Sequence, residues 1–331
     1  MKHMKDLPKL VAAVFLLSAA IFIIGTVKNN IDDTYTVPQE MVIYTDEALL
    51  AQSEFIGTMT DAVVSAEYEL NSSGFDNLYY ALVIDETRHE TVVSKNPHKR
   101  MYPASMTKLM TAIVVCDQLE AGIISKDDVV TLDKNYYISV PGVGPSELTY
   151  GCSITVDDLM HGLMIESDNY YALILADYIA GDVDSFCNMM NDKAISLGAT
   201  NTHYRNPHGL DDPEHYSTAY DTYLIIKEAQ SHSYITEMAP LSEYSYLYHN
   251  SYGEAVEKEI HATNMFVSGR ATLPSGYNIT AWKTGTTTGA GNCLCLYLEN
   301  GSKEYIVVAS SKEDRKDLYN SIVELICLIG Q

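Results

Sequence analysis

The chain has 331 residues, room for one large domain or two small ones. Hydrophobic residues make up 47% and charged residues 20%, which supplies a sizeable core and excludes wholesale disorder. Against 21 Lys and Arg stand 44 Asp and Glu, a formal net charge of -23 that repels phosphate and rules out nucleic acid as a partner. The acidity keeps a protein soluble and says nothing about its substrate.

Lys2, Lys5 and Lys9 precede a run of low polarity from Leu10 to Val27. Its eighteen residues approach the length that crosses a bilayer and exceed the usual apolar part of a cleaved signal peptide. No A-x-A-like cleavage site follows closely, and Asp32 and Asp33 come next. The basic flank therefore lies on the N-terminal side, which places everything after Lys28 outside the cell. Residues 1–28 read as an N-terminal membrane anchor, with a cleaved signal and a secreted protein as the alternative. Residues 29–56 are polar, contain Pro38, show no period and read as a stalk. Residues 57–331 are the expected folded domain.

Leu78 to Asp85 is aromatic and β-branched and predicts a strand. Glu90 to Ser94 is its hairpin partner, with the turn at Thr87 to His89. Pro103 ends the extended segment, and a helix is expected from near Ser105, with Leu109, Ala112, Ile113 and Cys116 at helical spacing. Val156, Leu159, Met160, Leu163 and Met164 form a second helical stripe with Thr155 as N-cap. Another helix is expected from Tyr170 to about Ile179. Ile279–Trp282, Leu294–Leu298 and Tyr305–Ala309 read as strands, and Leu318, Ile322, Leu325, Ile326 and Ile329 as the apolar face of a last helix. Strands near both ends with helices between them predict an α/β sandwich whose sheet joins the two ends of the domain.

Three short motifs occur in order. In Ser105-Met106-Thr107-Lys108, serine and lysine stand three apart and share a helix face. Serine needs a base to take its proton, and lysine serves if burial and a neighbouring positive charge lower its pKa. Ser167-Asp168-Asn169 falls between two apolar helices, where a hydroxyl can relay a proton and an amide can hold a carbonyl. A bare N-cap explains Ser167 or Asn169 equally well in isolation, and Asp168 reads as a brace for the loop. Lys283-Thr284-Gly285 lies on a strand followed by Thr286. Its glycine permits close backbone approach, so the N–H groups of Thr286 and Ser105 can face a developing oxyanion. Lys283 supplies charge for a substrate carboxylate and against the Lys108 ammonium.

S-x-x-K, S-D-N and K-T-G together are the motif set of penicillin-recognising serine enzymes. The stretch from Tyr102 through Ser105 and Lys108 to Ala112 resembles the active-site segment of serine D-alanyl-D-alanine carboxypeptidases. So do Met164 to Asn169, Asn206 to Asp211, His215 to Asp221 and Lys283 to Leu294. The resemblance covers about residues 56 to 331. It implies a β-lactamase/DD-peptidase-like sandwich: an antiparallel five-stranded sheet flanked by helices, with a mostly helical insertion holding Ser167. It implies Ser105 as acylated nucleophile, Lys108 as base and Ser167 as proton relay, with Asn169, Lys283, Thr284, Gly285 and Thr286 binding substrate. It also implies peptidoglycan stem peptides as substrates, β-lactams as covalent inhibitors, no cofactor or metal, and a place on the outer face of a bacterial cytoplasmic membrane.

Three departures stand out. Tyr170 replaces a small or acidic residue. His261-Ala262-Thr263-Asn264 stands where relatives carry an N-x-N, sometimes with a carboxylate-holding arginine, so carboxylate binding is expected to rest on Lys283 and the threonines. The sequence ends about where the peptidase domain should, and the N-terminal anchor is expected to replace a C-terminal one. A β-lactamase and a β-lactam or muropeptide sensor are the competing functions. The N-P-H-G-L and H-Y-S-T-A blocks favour the peptidase, and intact Ser105, Lys108 and Lys283 oppose a lapsed catalyst. His203, His208 and His215 match no zinc spacing. The six cysteines are expected as buried thiols or at most one disulfide, since Cys293 and Cys295 share a strand face, where pairing is poor.

Overall fold

The computed structural model describes residues 61–329, apart from 63 and 65–68. The expected anchor and stalk lie outside the described residues. No helix among the described residues is long and apolar enough to cross a membrane.

The main sheet has five antiparallel strands in the order β2-β1-β9-β8-β7. They are β1 (Leu78–Asp85), β2 (Glu90–Lys95), β7 (Asn278–Thr287), β8 (Gly291–Asn300) and β9 (Lys303–Ser311). β9 pairs with β1, which joins the two ends of the domain in one sheet as the strand pattern predicts. β1, β8 and β9 read as continuous apolar runs because the central strands are buried on both faces. The helix Ala219–Ser231 lies over β7, β8, β9 and β1, and the helix Arg315–Cys327 over β9, β1 and β8.

The segment between β2 and β7 holds the helices Thr107–Glu120, Val156–His161, Asn169–Ala180, Val183–Ser196 and Ser233–Met238. Thr155 caps the second of these by accepting from the Asp158 N–H, a bond of the kind worth about 1 kcal/mol. The insertion is less helical than expected, for it also carries a four-stranded sheet, β3 (Val129–Thr131), β4 (Ser153–Thr155), β5 (Glu243–His249) and β6 (Ala255–His261). β3 and β4 have only three residues each, too few for a period to show. β6, with Glu257, Lys258 and Glu259 in its middle, is half solvated and has no apolar run. Cys116, Cys152, Cys187, Cys293 and Cys295 are buried free thiols.

Candidate active site

Ser105 sits in a 3-10 turn, Ala104–Met106, that leads into the helix Thr107–Glu120. Lys108 follows one turn later and is 0% exposed. Its ammonium nitrogen lies 2.9 Å from Ser105 Oγ, 2.7 Å from Asn169 Oδ1 and 2.8 Å from the His208 carbonyl oxygen. The last two partners can only accept, so they take two N–H bonds. In the neutral amine the remaining direction is the lone pair, and it points at the serine hydroxyl. Burial lowers the Lys108 pKa well below the ordinary lysine value, the Lys283 charge lowers it further, and Asp168 opposes both.

Two glycines bring other chain segments against this turn. A Cβ on Gly285 would lie 2.8 Å from Ala104 Cβ and 3.0 Å from the Ser105 nitrogen, so β7 passes directly beside the Ser105 N–H. Gly209 has φ +89°, and a Cβ there would lie 1.9 Å from the Ala104 oxygen, an approach that no side chain permits. Ala104 itself takes φ 47°, the left-handed region, which costs an L-residue about 1–3 kcal/mol and marks a turn held by its surroundings.

Ser167 ends a π-helical turn, Gly162–Glu166, in the left-handed conformation with φ 69°. Its Oγ is buried and has no hydrogen-bond partner among the described residues. The N-cap of the next helix is Asp168, whose carboxylate accepts from the Tyr170 and Tyr171 N–H groups at 2.7 and 3.1 Å. The capping role open to Ser167 and Asn169 therefore falls to the residue between them. Tyr170 is buried, and its hydroxyl donates to the Gly144 carbonyl at 2.8 Å, which draws its ring under the 135–149 loop.

Lys283 is also 0% exposed. Burial pulls its pKa down to about 7, with the Arg315 charge adding to the shift. Complete desolvation thus works in the free protein against the Lys283 charge that a substrate carboxylate calls for. Thr284 Oγ1 lies 2.7 Å from Thr263 Oγ1, and Thr286 is exposed on the edge strand. Arg315 Nη2 donates to Thr286 Oγ1 at 3.2 Å, which brings a guanidinium beside the expected carboxylate position that the sequence left to Lys283 and the threonines. Arg315 occupies the first turn of its helix, where a cation opposes the helix dipole, and that misplacement is the signal sequence reasoning passed over. The His208 carbonyl was also missed, since a backbone oxygen leaves no mark in a sequence.

The 206–215 segment braces the site. Asp211 accepts from Thr287 Oγ1 at 2.6 Å and from the Gly289 N–H at 2.8 Å. His215 Nδ1 accepts from the Arg205 N–H at 3.1 Å, so its other nitrogen donates to Thr107 Oγ1 at 2.8 Å. Burial lowers His215 to about 4 and His208 to about 3, which leaves both neutral.

The fold is that of the DD-peptidases. The Streptomyces K15 DD-transpeptidase superposes with a TM-score of 0.68 at 26% identity, over 76% of this chain and 96% of that one. Residues 78–312 match the model of the family described as D-alanyl-D-alanine carboxypeptidase, and the chain belongs to that family. Curated relatives include D-alanyl-D-alanine carboxypeptidase DacC of Escherichia coli, 33% identical over 81% of this chain, and DacF of Bacillus subtilis, 29% identical over 74%. The alignments take in 64% and 60% of those relatives' own lengths.

Proposed function

We propose that the protein is a serine D,D-carboxypeptidase that removes the terminal D-alanine from peptidoglycan stem peptides. The observation that carries this reading is the buried Lys108 amine held between Ser105, Asn169 and the His208 carbonyl. Ser105 Oγ attacks the carbonyl carbon of the penultimate D-alanine while its proton passes to neutral Lys108. The N–H groups of Ser105 and Thr286 meet the oxyanion. Asn169 binds the acyl part, and the terminal carboxylate is met by Lys283, Thr284, Thr286 and Arg315. When the C–N bond breaks, the proton moves from Lys108 through the Ser167 hydroxyl to the departing amine. Water then adds to the Ser105 ester, giving the shortened peptide and the free serine. β-Lactams acylate the same oxygen; a Listeria monocytogenes penicillin-binding protein of the same fold has been solved with cefotaxime bound.

The β-lactamase and sensor alternatives are not favoured: DacC and DacF are D-alanyl-D-alanine carboxypeptidases, and the Ser105–Lys108 contact keeps the acylation chemistry that a lapsed sensor would not need. Incubation with a diacetyl-lysyl-D-alanyl-D-alanine peptide should release free D-alanine. An enzyme that hydrolyses penicillin rapidly and leaves the peptide intact would overturn the assignment.

The domain is further proposed to work outside a bacterial cytoplasmic membrane, anchored through residues 1–28, on the charge asymmetry around Leu10–Val27. External protease acting on intact protoplasts should release an active soluble fragment cut between residues 29 and 56. A mature N-terminus just after Val27 would show a cleaved signal instead.

A further inference from the structure

A row of facing residues crosses four strands of the main sheet. Gly285 on β7 stands opposite Cys293 on β8, Cys293 opposite Ser310 on β9, and Ser310 opposite Tyr80 on β1. Facing residues on paired strands point to the same side, so all four share one face of the sheet. The turn that carries Ser105 covers the Gly285 end, where a Cβ would lie 2.8 Å from Ala104 Cβ. At the Ser310 and Tyr80 end lies a cavity of ≈ 190 Å³. Met101 and Tyr102, which lead into that turn, form part of its lining, and none of the proposed catalytic or substrate-binding residues does.

Floor and mouth of this cavity differ. Ser310 is 0% and Tyr80 4% exposed, and neither hydroxyl has a hydrogen-bond partner among the described residues. Burial above all raises the Tyr80 pKa, so the phenol keeps its proton; Cys293 and Ser310 act on it electrostatically but do not meet it in bonding geometry. Buried hydroxyls without partners are costly, and a ligand that meets both offsets that cost. At the mouth stand Lys99 and Arg100, both exposed. The Lys312 ammonium lies 4.7 Å from the centre of the Tyr79 ring, another part of the lining. No described acidic residue lines the cavity, in a chain with 44 Asp and Glu against 21 Lys and Arg. The mouth therefore attracts an anion.

Tyr79 and Tyr102 supply aromatic walls that suit a flat ring. The volume is below the about 300 Å³ at which pockets for drug-sized ligands begin, so the occupant is small. We infer that the cavity is a binding site for a small organic anion: a flat ring with its acidic group toward Lys99 and Arg100 and a hydrogen-bonding group toward Tyr80 and Ser310. The site is separate from the catalytic cleft, beside the turn that carries Ser105, and it does not depend on the proposed activity.

The probe is para-hydroxybenzoate, with para-hydroxybenzamide as its uncharged counterpart, each titrated against the full chain by ligand-observed NMR. The benzoate should bind with a Kd of about 1 mM, an ordinary efficiency for a ligand of its size, and more tightly than the amide. Lys99→Gln/Arg100→Gln, at two exposed positions, should weaken it about 5-fold, the scale of two screened charge contacts. Tyr80→Phe/Ser310→Ala should weaken it by a similar factor of about 5 through loss of two hydrogen bonds, with no fall in thermal stability, because the hydroxyls removed have no partners in the fold. Arg315→Gln, changed beside the proposed carboxylate position, should bind as the wild type does. No binding, equal binding of the amide, or an affinity unchanged in either double variant overturns the site. Loss of affinity in Arg315→Gln overturns it too, since the probe would then sit in the catalytic cleft.

Discussion

Ser105→Ala is expected to lower D-alanine release by at least about 10⁴-fold and to remove covalent labelling by penicillin, as loss of a serine nucleophile does in acyl-transfer enzymes. The expectation follows from the contacts of Lys108. Of its three oxygen partners, only Ser105 Oγ belongs to a group that can give up a proton. Ser167, the other serine of the motifs, has no hydrogen-bond partner among the described residues, and none of them activates it as a nucleophile. Intact-protein mass spectrometry of the penicillin adduct, followed by peptide mapping, is the measurement. An adduct on Ser167, or labelling that persists in Ser105→Ala, would show that the acyl group is carried elsewhere. Removing the hydroxyl from a half-buried position breaks one hydrogen bond and leaves the surrounding packing in place, so the variant should stay folded.

Much of this site was legible because its chemistry demands side chains at fixed local spacing. Ser105 and Lys108 are one helical turn apart, so the period alone brings them together, and Lys283 to Thr286 are contiguous on one strand, with Thr284 and Thr286 on one face and Lys283 on the other. β1 and the thick apolar runs of β8 and β9 were equally plain, since strands buried on both faces need no alternation. What escaped were contacts made at long range or by the backbone. The His208 carbonyl reaches Lys108 across 100 residues, and nothing in the 206–211 segment distinguishes that oxygen from its neighbours. Arg315 reaches Thr286 across 29 residues from a helix whose apolar stripe concerned only the core. In the second sheet β3 and β4 are too short and β6 too charged to show a period, whereas the alternating tyrosines of β5 were a strand signal that the sequence reading passed over. The role of Asp168 as cap was readable, and its neighbours Ser167 and Asn169 are thereby freed for the cleft.

The two buried lysines should separate in a pH profile. Lys108 must be neutral to take the Ser105 proton, so kcat/KM rises as pH rises through its lowered pKa. Lys283 must be charged to hold a carboxylate, so kcat/KM falls as pH rises through its own value of about 7 in the free enzyme. The expected profile is a bell whose acid limb belongs chiefly to Lys108 and whose alkaline limb belongs chiefly to Lys283. Because each charge disfavours the other, the two midpoints are properties of the pair. Lys108→Arg places a group that keeps its proton where a base is needed, and acylation should fall by about 10²–10⁴-fold at every pH, the scale of general-base catalysis. Lys283→Arg keeps the charge permanently. Acylation should survive, weakened by the wider guanidinium, and the alkaline fall near neutrality should disappear while the acid limb remains. Stopped-flow acylation by a chromogenic cephalosporin, run across pH on both variants, decides the matter. If Lys108→Arg acylates Ser105 as fast as the wild type, Lys108 is not the base. If the alkaline limb persists unchanged in Lys283→Arg, the carboxylate is held by Arg315 and the threonines without Lys283, and the limb belongs to another group.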